Sequence, residues 1–128
     1  MRVLLDTHIL LWAASQSAKL PAALLDVMAQ PDTELIFSAA SIWEVSIKYS
    51  QRRPDFDAIP GTLRNGLLAA GYVELPILGE HALAVAHLPM IHRDPFDRML
   101  LVQAMVEGIE LFTVDEQLAR YPGPIRVF

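Results

Sequence analysis

Apolar and polar positions along the chain fall into short alternating blocks. "RVLLD" (2–6) is an apolar run closed by an acid and reads as a buried strand ending at Asp6. "LPAALLDVMAQP" (20–31) reads as a helix, with Pro21 suited to its first turn and Pro31 stopping it. "ELIFS" (34–38) is a second strand. "SAASIWEVSIKYSQRR" (38–53) is a helix capped by Ser38 or Ser41, with apolar Ile42, Val45, Ile47 and Tyr49 along it. "IPGTLRNGLLAAG" (59–71) is a weaker helix ended by Gly71, "YVELP" (72–76) a third strand, and "GEHALAVAHLP" (79–89) a short helix. Asp94 then caps a long apolar helix that has Pro95 at its first position and Gly108 at its close. "IELFTVD" (109–115) is a fourth strand, "EQLARY" a helical turn or two, and "IRVF" a terminal strand.

Short apolar strands alternating with helices predict an α/β fold: a mostly parallel sheet of four to five strands, covered by helices on both faces. At 128 residues, 1–128 form one domain, without repeats or a Gly/Ser linker. No apolar run approaches the ~18 residues of a membrane span, and Asp6 and His8 interrupt any signal-peptide core. A cytoplasmic protein with no membrane association is expected. The absence of cysteine excludes disulfides, thiolate catalysis and zinc–thiolate sites. A net charge of −5 argues against general electrostatic binding of nucleic acid. Such a chain handles nucleic acid through a local basic patch or through bound cations.

The acids change the picture. Asp6 and Asp115 close predicted strands, Glu44 lies in the first turns after the second strand, and Asp94 and Asp97 start the helix leading into the fourth. In a parallel sheet these points share the carboxyl edge, where ligand crevices lie. Two carboxylates ~4 Å apart repel by roughly 4 kcal/mol at an effective dielectric near 20, so such a cluster shares protons or holds a divalent cation. An all-oxygen set suits Mg²⁺ or Mn²⁺. Each acid also has a local explanation. Asp94 with Asp97, or Ser41 with Glu44, matches a capping pattern, and Asp115 heads "DEQLAR" as a cap would. Capping explains the positions singly but not their accumulation on one edge.

Other polar residues have two readings each. Arg98, a cation in a first helical turn, calls for an anionic partner, either one of these carboxylates or a phosphate. His92 touches substrate or bonds to loop backbone. Lys48 and Arg52 follow Glu44 at four-residue steps, as ion pairs or as a phosphate track. Thr113, on the same side of its strand as Asp115, supports the acids, and Thr7 beside Asp6 is a further supporting or substrate-binding candidate.

Four stretches resemble the motifs of PIN-domain ribonucleases, in particular the VapC-type toxins of bacterial type II toxin–antitoxin modules. They are "LLDTHILLW", "SAASIWEVSIK", "HRDPFDRMLLVQA" and "LFTVDEQLARY", in order and over almost the whole chain. The resemblance implies a PIN-like fold and Mg²⁺-dependent endonucleolytic cleavage of RNA. Asp6, Glu44, Asp97 and Asp115 would be the catalytic and metal-binding acids, with Asp94 a supporting residue that caps the helix. Cleavage would leave a 5′-phosphate and a 3′-hydroxyl. The resemblance also implies a homodimer and a VapB-like antitoxin that inserts near the acidic site, where Trp12 and Trp43 would line a groove or pack in the core.

Two phosphotransfer folds also gather acids at strand ends. The phosphatase pattern wants a second Asp where "DTH" places His8, and the receiver pattern wants a late lysine where only Lys19 and Lys48 exist. The remaining alternative is a catalytically silent PIN-like module for dimerisation or binding.

Overall fold

The computed structural model describes all 128 residues. Five strands form one sheet in the order β3-β2-β1-β4-β5, and every neighbouring pair is parallel. They are β1 (Arg2–Leu5), β2 (Glu34–Ser38), β3 (Val73–Leu75), β4 (Glu110–Thr113) and β5 (Ile125–Val127). The helices are α1 (Thr7–Ala14), α2 (Ala22–Met28), α3 (Ala39–Ser50), α4 (Pro60–Ala69), α5 (Gly79–Ala84) and α6 (Pro95–Glu107). No helix is long and apolar enough to cross a membrane.

Alternation along the central strand divides the core. Val3 and Leu5 face a cluster with Ile9 and Leu10 of α1, Leu24 of α2, Val45 of α3 and Leu63 and Leu67 of α4. Leu4 faces the opposite cluster, built with Leu100, Leu101 and Ala104 of α6. Val3, Leu4 and Leu5 are fully buried, as expected of a strand covered on both faces.

The chain runs outward from β1 through β2 to β3, then crosses back to place β4 on the other side of β1. The carboxyl ends of β1 and β4 therefore form a topological switch point, where the flanking connections diverge and leave a crevice. Leu5 pairs with Phe112, so Asp6 emerges beside Thr113. The Asp6 amide donates to Phe112 O at 3.1 Å, which fixes that register.

The main departure from the sequence reading is α1. "THILLWAA" is apolar almost throughout and lacks the polar face that marks a surface helix, so its helical period is hidden in the pattern. Its start is set by Asp6, whose side chain accepts from the Ile9 amide. Several elements are shorter than expected. The helix read over 38–53 ends at Ser50, and Arg52 adopts a left-handed conformation at φ 55°. The helix read over 79–89 becomes α5 plus a 3₁₀ turn, Val85–His87. The fourth strand stops at Thr113, so Asp115 lies two residues past its end, and "EQLARY" supplies only the 3₁₀ turn Leu118–Arg120.

Candidate metal centre

The acid at the end of the central strand is held from three sides. Asp6 Oδ1 accepts from the Ile9 amide at 2.9 Å, and Oδ2 accepts from the Thr113 hydroxyl and, at 3.3 Å, from the Val114 amide. Only 4% of Asp6 is exposed, and burial pushes its carboxyl above the ordinary value of 3.8 although Thr113 and the two amides pull it down. Thr113 Oγ1 also accepts from the Asp115 amide at 2.9 Å, so one hydroxyl joins Asp6 to the segment carrying Asp115. Thr113 thus lies between the Asp6 carboxylate and the Asp115 backbone.

Glu44 arrives from α3, because Ser38 caps the helix by accepting from the Ala40 amide. Its Oε1 accepts from the Thr7 hydroxyl at 2.7 Å, and Thr7 in turn pairs with Ser41 at 2.9 Å. Its Oε2 pairs with Lys48 at 2.6 Å, and the Lys48 ammonium lies 4.3 Å from the centre of the Phe56 ring. Thr7 is the residue after Asp6, so this link ties the second acid to the first. Lys48 is an ion-pair partner of Glu44. Arg52, beyond the end of α3, does not continue that helical face, and the four-residue pattern breaks there.

The third acid starts α6. Asp94 Oδ1 accepts from the amides of Phe96 at 2.9 Å and Asp97 at 3.2 Å, as an N-cap does. The Asp97 carboxylate does not return to the Asp94 amide, so no reciprocal capping pair forms. It meets His92 instead, Oδ2 to Nε2 at 3.0 Å. The same His92 nitrogen lies 3.5 Å from Asp115 Oδ2. The His92 ring is thus a bridge between two acids, while its backbone is bonded to the Tyr121 hydroxyl. Asp115 Oδ1 also accepts from the Gln117 amide at 2.9 Å, so its capping role coexists with its place in the cluster.

A continuous path therefore runs from Glu44 through Thr7 to Asp6, then Thr113, Asp115, His92 and Asp97. Burial raises the Asp97 carboxyl to about 7; repulsion from Asp94, Asp6 and Glu44 adds to this, and the His92 hydrogen bond opposes it. That repulsion reflects carboxylates drawn together from three segments. Carboxylate oxygens without sulfur, crowded enough to hold a proton near neutrality, fit a hard divalent cation. The ligand atoms of His92, Asp94 and Asp97 lie within 4.8 Å of one another, and Asp6 and Glu44 stand near enough to repel Asp97.

The PIN-domain family matches residues 3–124. The chain belongs to the PIN-domain family. Among solved structures, this PIN domain resembles a chain of the VapBC2 complex from Rickettsia felis bound to a DNA fragment from their promoter. The TM-score is 0.72 at 13% identity, over 99% of this chain and 98% of that one. It resembles VapC20 of Mycobacterium tuberculosis, a sarcin–ricin loop cleaving toxin, with TM-score 0.60 at 15% identity over 93% and 95% of the two chains. A domain of a functionally unknown protein from Methanocaldococcus jannaschii matches with TM-score 0.61 at 13% identity, over 99% and 90%. At these identities the likeness establishes the fold. No curated protein matches the sequence.

One expectation fails, and the two readings open for the tryptophans divide between them. Arg98 has no anionic partner: its guanidinium donates to the Tyr121 hydroxyl and to the carbonyls of Pro89, Val85 and Leu88. It is buried. Trp12 and Trp43 do not share a groove. Trp12 packs against the first core cluster, whereas Trp43 is 58% exposed and meets Phe96 edge to face at 5.2 Å. Ser41 and Tyr121, by contrast, join the PIN-domain centre without having been singled out for it. Ser41 stands three residues before Glu44 on one helical face, which is a usable signal; Tyr121 carries none.

A second acid–histidine grouping, Glu80, His81 and Glu107, differs in kind. The Leu78 amide donates to His81 Nδ1 at 3.0 Å, so the ring proton sits on Nε2, which faces Glu107 at 3.0 Å. That leaves no free ring nitrogen for a metal.

Proposed function

We propose that this PIN domain is a Mg²⁺-dependent endoribonuclease, with Mn²⁺ able to replace Mg²⁺, and the toxin of a type II toxin–antitoxin pair acting in the cytoplasm. The observation that carries this reading is the linked set Asp6, Glu44, Asp97 and Asp115 at the carboxyl edge of the sheet. Asp6 and Asp97 hold the ion, and Glu44 and Asp115 touch it directly or through water. When bound, the ion supplies Lewis-acid polarisation of the phosphodiester and a more acidic water nucleophile. The chain's own part is orientation. Ile9, Val114 and Thr113 fix both Asp6 oxygens, Thr7 and Lys48 fix both Glu44 oxygens, and His92 spans Asp97 and Asp115. Hydrolysis leaves a 5′-phosphate and a 3′-hydroxyl.

RNA as substrate class is supported by the description of VapC20 as a sarcin–ricin loop cleaving toxin. A VapB-like antitoxin partner is supported by the VapBC2 complex, and a homodimer accompanies this reading. The apolar surface suited to an antitoxin segment is a groove of about 610 Å³ between α1 and α4, lined by Leu11, Ala14, Leu63, Leu67 and Tyr72. Neither tryptophan lines it.

The test incubates purified protein with RNA in Mg²⁺ and in chelator. Cleavage only with Mg²⁺, absent from Asp6→Asn, is expected. Absence of metal-dependent cleavage in the parent overturns the nuclease in favour of a silent binding module.

A further inference from the structure

His92 sits in a segment, 88–94, that has no helix or strand of its own. A loop side chain keeps a defined position only when surrounding groups fix its backbone. One oxygen does so here. The Tyr121 hydroxyl accepts from the His92 amide at 2.8 Å and donates to the His92 carbonyl at 3.1 Å. It also accepts from Arg98 Nη1 at 3.0 Å, so its single donor and both acceptor positions are used. Arg98 then binds the loop's approach: Pro89 O at 2.8 Å, Val85 O at 3.3 Å and Leu88 O at 3.5 Å. A buried guanidinium without a carboxylate is costly to desolvate. The fold keeps one next to an acidic centre, with its donors turned toward carbonyls.

We infer that Tyr121 and Arg98 are positioning residues that hold the His92 imidazole as a strut between Asp97 and Asp115. The purpose of the strut rests on the nuclease reading; its existence does not. Tyr121 is 4% exposed and Arg98 7%, so neither is placed to touch RNA. Removing the Tyr121 hydroxyl strips partners from the His92 amide, the His92 carbonyl and one Arg98 N–H together. The loop then relaxes, the ring leaves its place, and the acids of α6 and of the segment after β4 lose their common contact.

The test is Tyr121→Phe in the full chain, read by the side-chain NMR signals of His92 and by Mn²⁺ binding in a calorimeter. The His92 signals shift or broaden, and the Mn²⁺ Kd rises on the order of tenfold, the usual scale for groups that orient ligands. Leu24→Ala, in the opposite core cluster, is the control: it lowers Tm but leaves both readouts alone. In a His92→Ala background, Tyr121→Phe causes no further loss of Mn²⁺ affinity. Should Tyr121→Phe fail to fold, Arg98→Lys takes its place, keeping the charge but losing the fork of donors. Unchanged His92 signals with a lowered Tm, or losses that add in the double variant, overturn the inference. A parent that binds Mn²⁺ but leaves RNA intact defeats the nuclease reading and not this one. If the parent binds no Mn²⁺, the His92 signals alone decide.

Discussion

Asp6 and Asp97 lie on the same hydrogen-bonded path but are held in different ways. Asp6 is enclosed by the fold: two amides and a hydroxyl converge on it, and it caps α1 as well. Asp97 is also partly buried, and burial is the first cause of its raised carboxyl, but apart from His92 the side chains that act on it are Asp94, Asp6 and Glu44, all repulsive. One acid is positioned by neutral dipoles that exist with or without an ion. The other is tolerable mainly when a proton or a cation is present. The site thus has a preset wall at the switch point and an adjustable wall on α6, and a bound cation would act chiefly on the second.

The sharpest way to break this contrast is a pair of isosteric changes. Asp6→Asn and Asp97→Asn both abolish metal-dependent cleavage of RNA. They separate in chelator: Asp97→Asn relieves repulsion and raises Tm, by roughly 4 °C per kcal/mol for a domain of this size, whereas Asp6→Asn does not. Equal shifts in the same direction would erase the distinction. Next comes Thr113→Val, which removes the donor to Asp6 and the acceptor for the Asp115 amide. A loss of about 1–3 kcal/mol in denaturant unfolding is expected, together with weaker cleavage. Thr113→Ser, which keeps the hydroxyl, recovers most of both.

The pH dependence follows from the sign of the Asp97 shift. Its folded carboxyl titrates near 7, against an ordinary value of 3.8. Between those values the folded state binds more protons than the unfolded chain, so stability falls as pH rises through that window. Thermal unfolding in chelator should therefore show Tm decreasing from about pH 4 to pH 7, and saturating Mg²⁺ should flatten the slope. A Tm that climbs across the same window in chelator contradicts the account. The smallest effect is Asp94→Ala, which loses the cap of α6 at about 1 kcal/mol but also removes one repulsive neighbour of Asp97. Activity should weaken without vanishing. If Asp94→Ala abolishes cleavage while Asp97→Asn spares it, the choice of ligand is reversed.

Much of the fold was legible because its signals are local. Two strands end where apolar runs meet Asp6 and Ser38, although the fourth stops at Thr113 and not at Asp115 as its pattern suggested, and Asp94-Pro95 marks the start of α6 as surely as Gly108 marks its end. α1 was hidden because an almost wholly apolar helix has no face to betray its period. Arg98 misled for a related reason: a cation in a first helical turn implies an anion only if it is solvent-facing, and burial against carbonyls was invisible in the pattern.

The amino-acid sequence alone determined which carboxylates exist, at which element ends they fall, and hence that a parallel sheet would collect them on one edge. Periodicity and capping act within a few residues, so they are written along the chain. Tertiary structure alone decided that Thr7 turns to Glu44, that Thr113 joins Asp6 to Asp115, and that Tyr121 holds the loop of His92. The pairings of Tyr121 with His92, Thr7 with Glu44 and Thr113 with Asp6 span 29, 37 and 107 positions. Only packing of both sheet faces brings such distant polar groups within hydrogen-bonding reach.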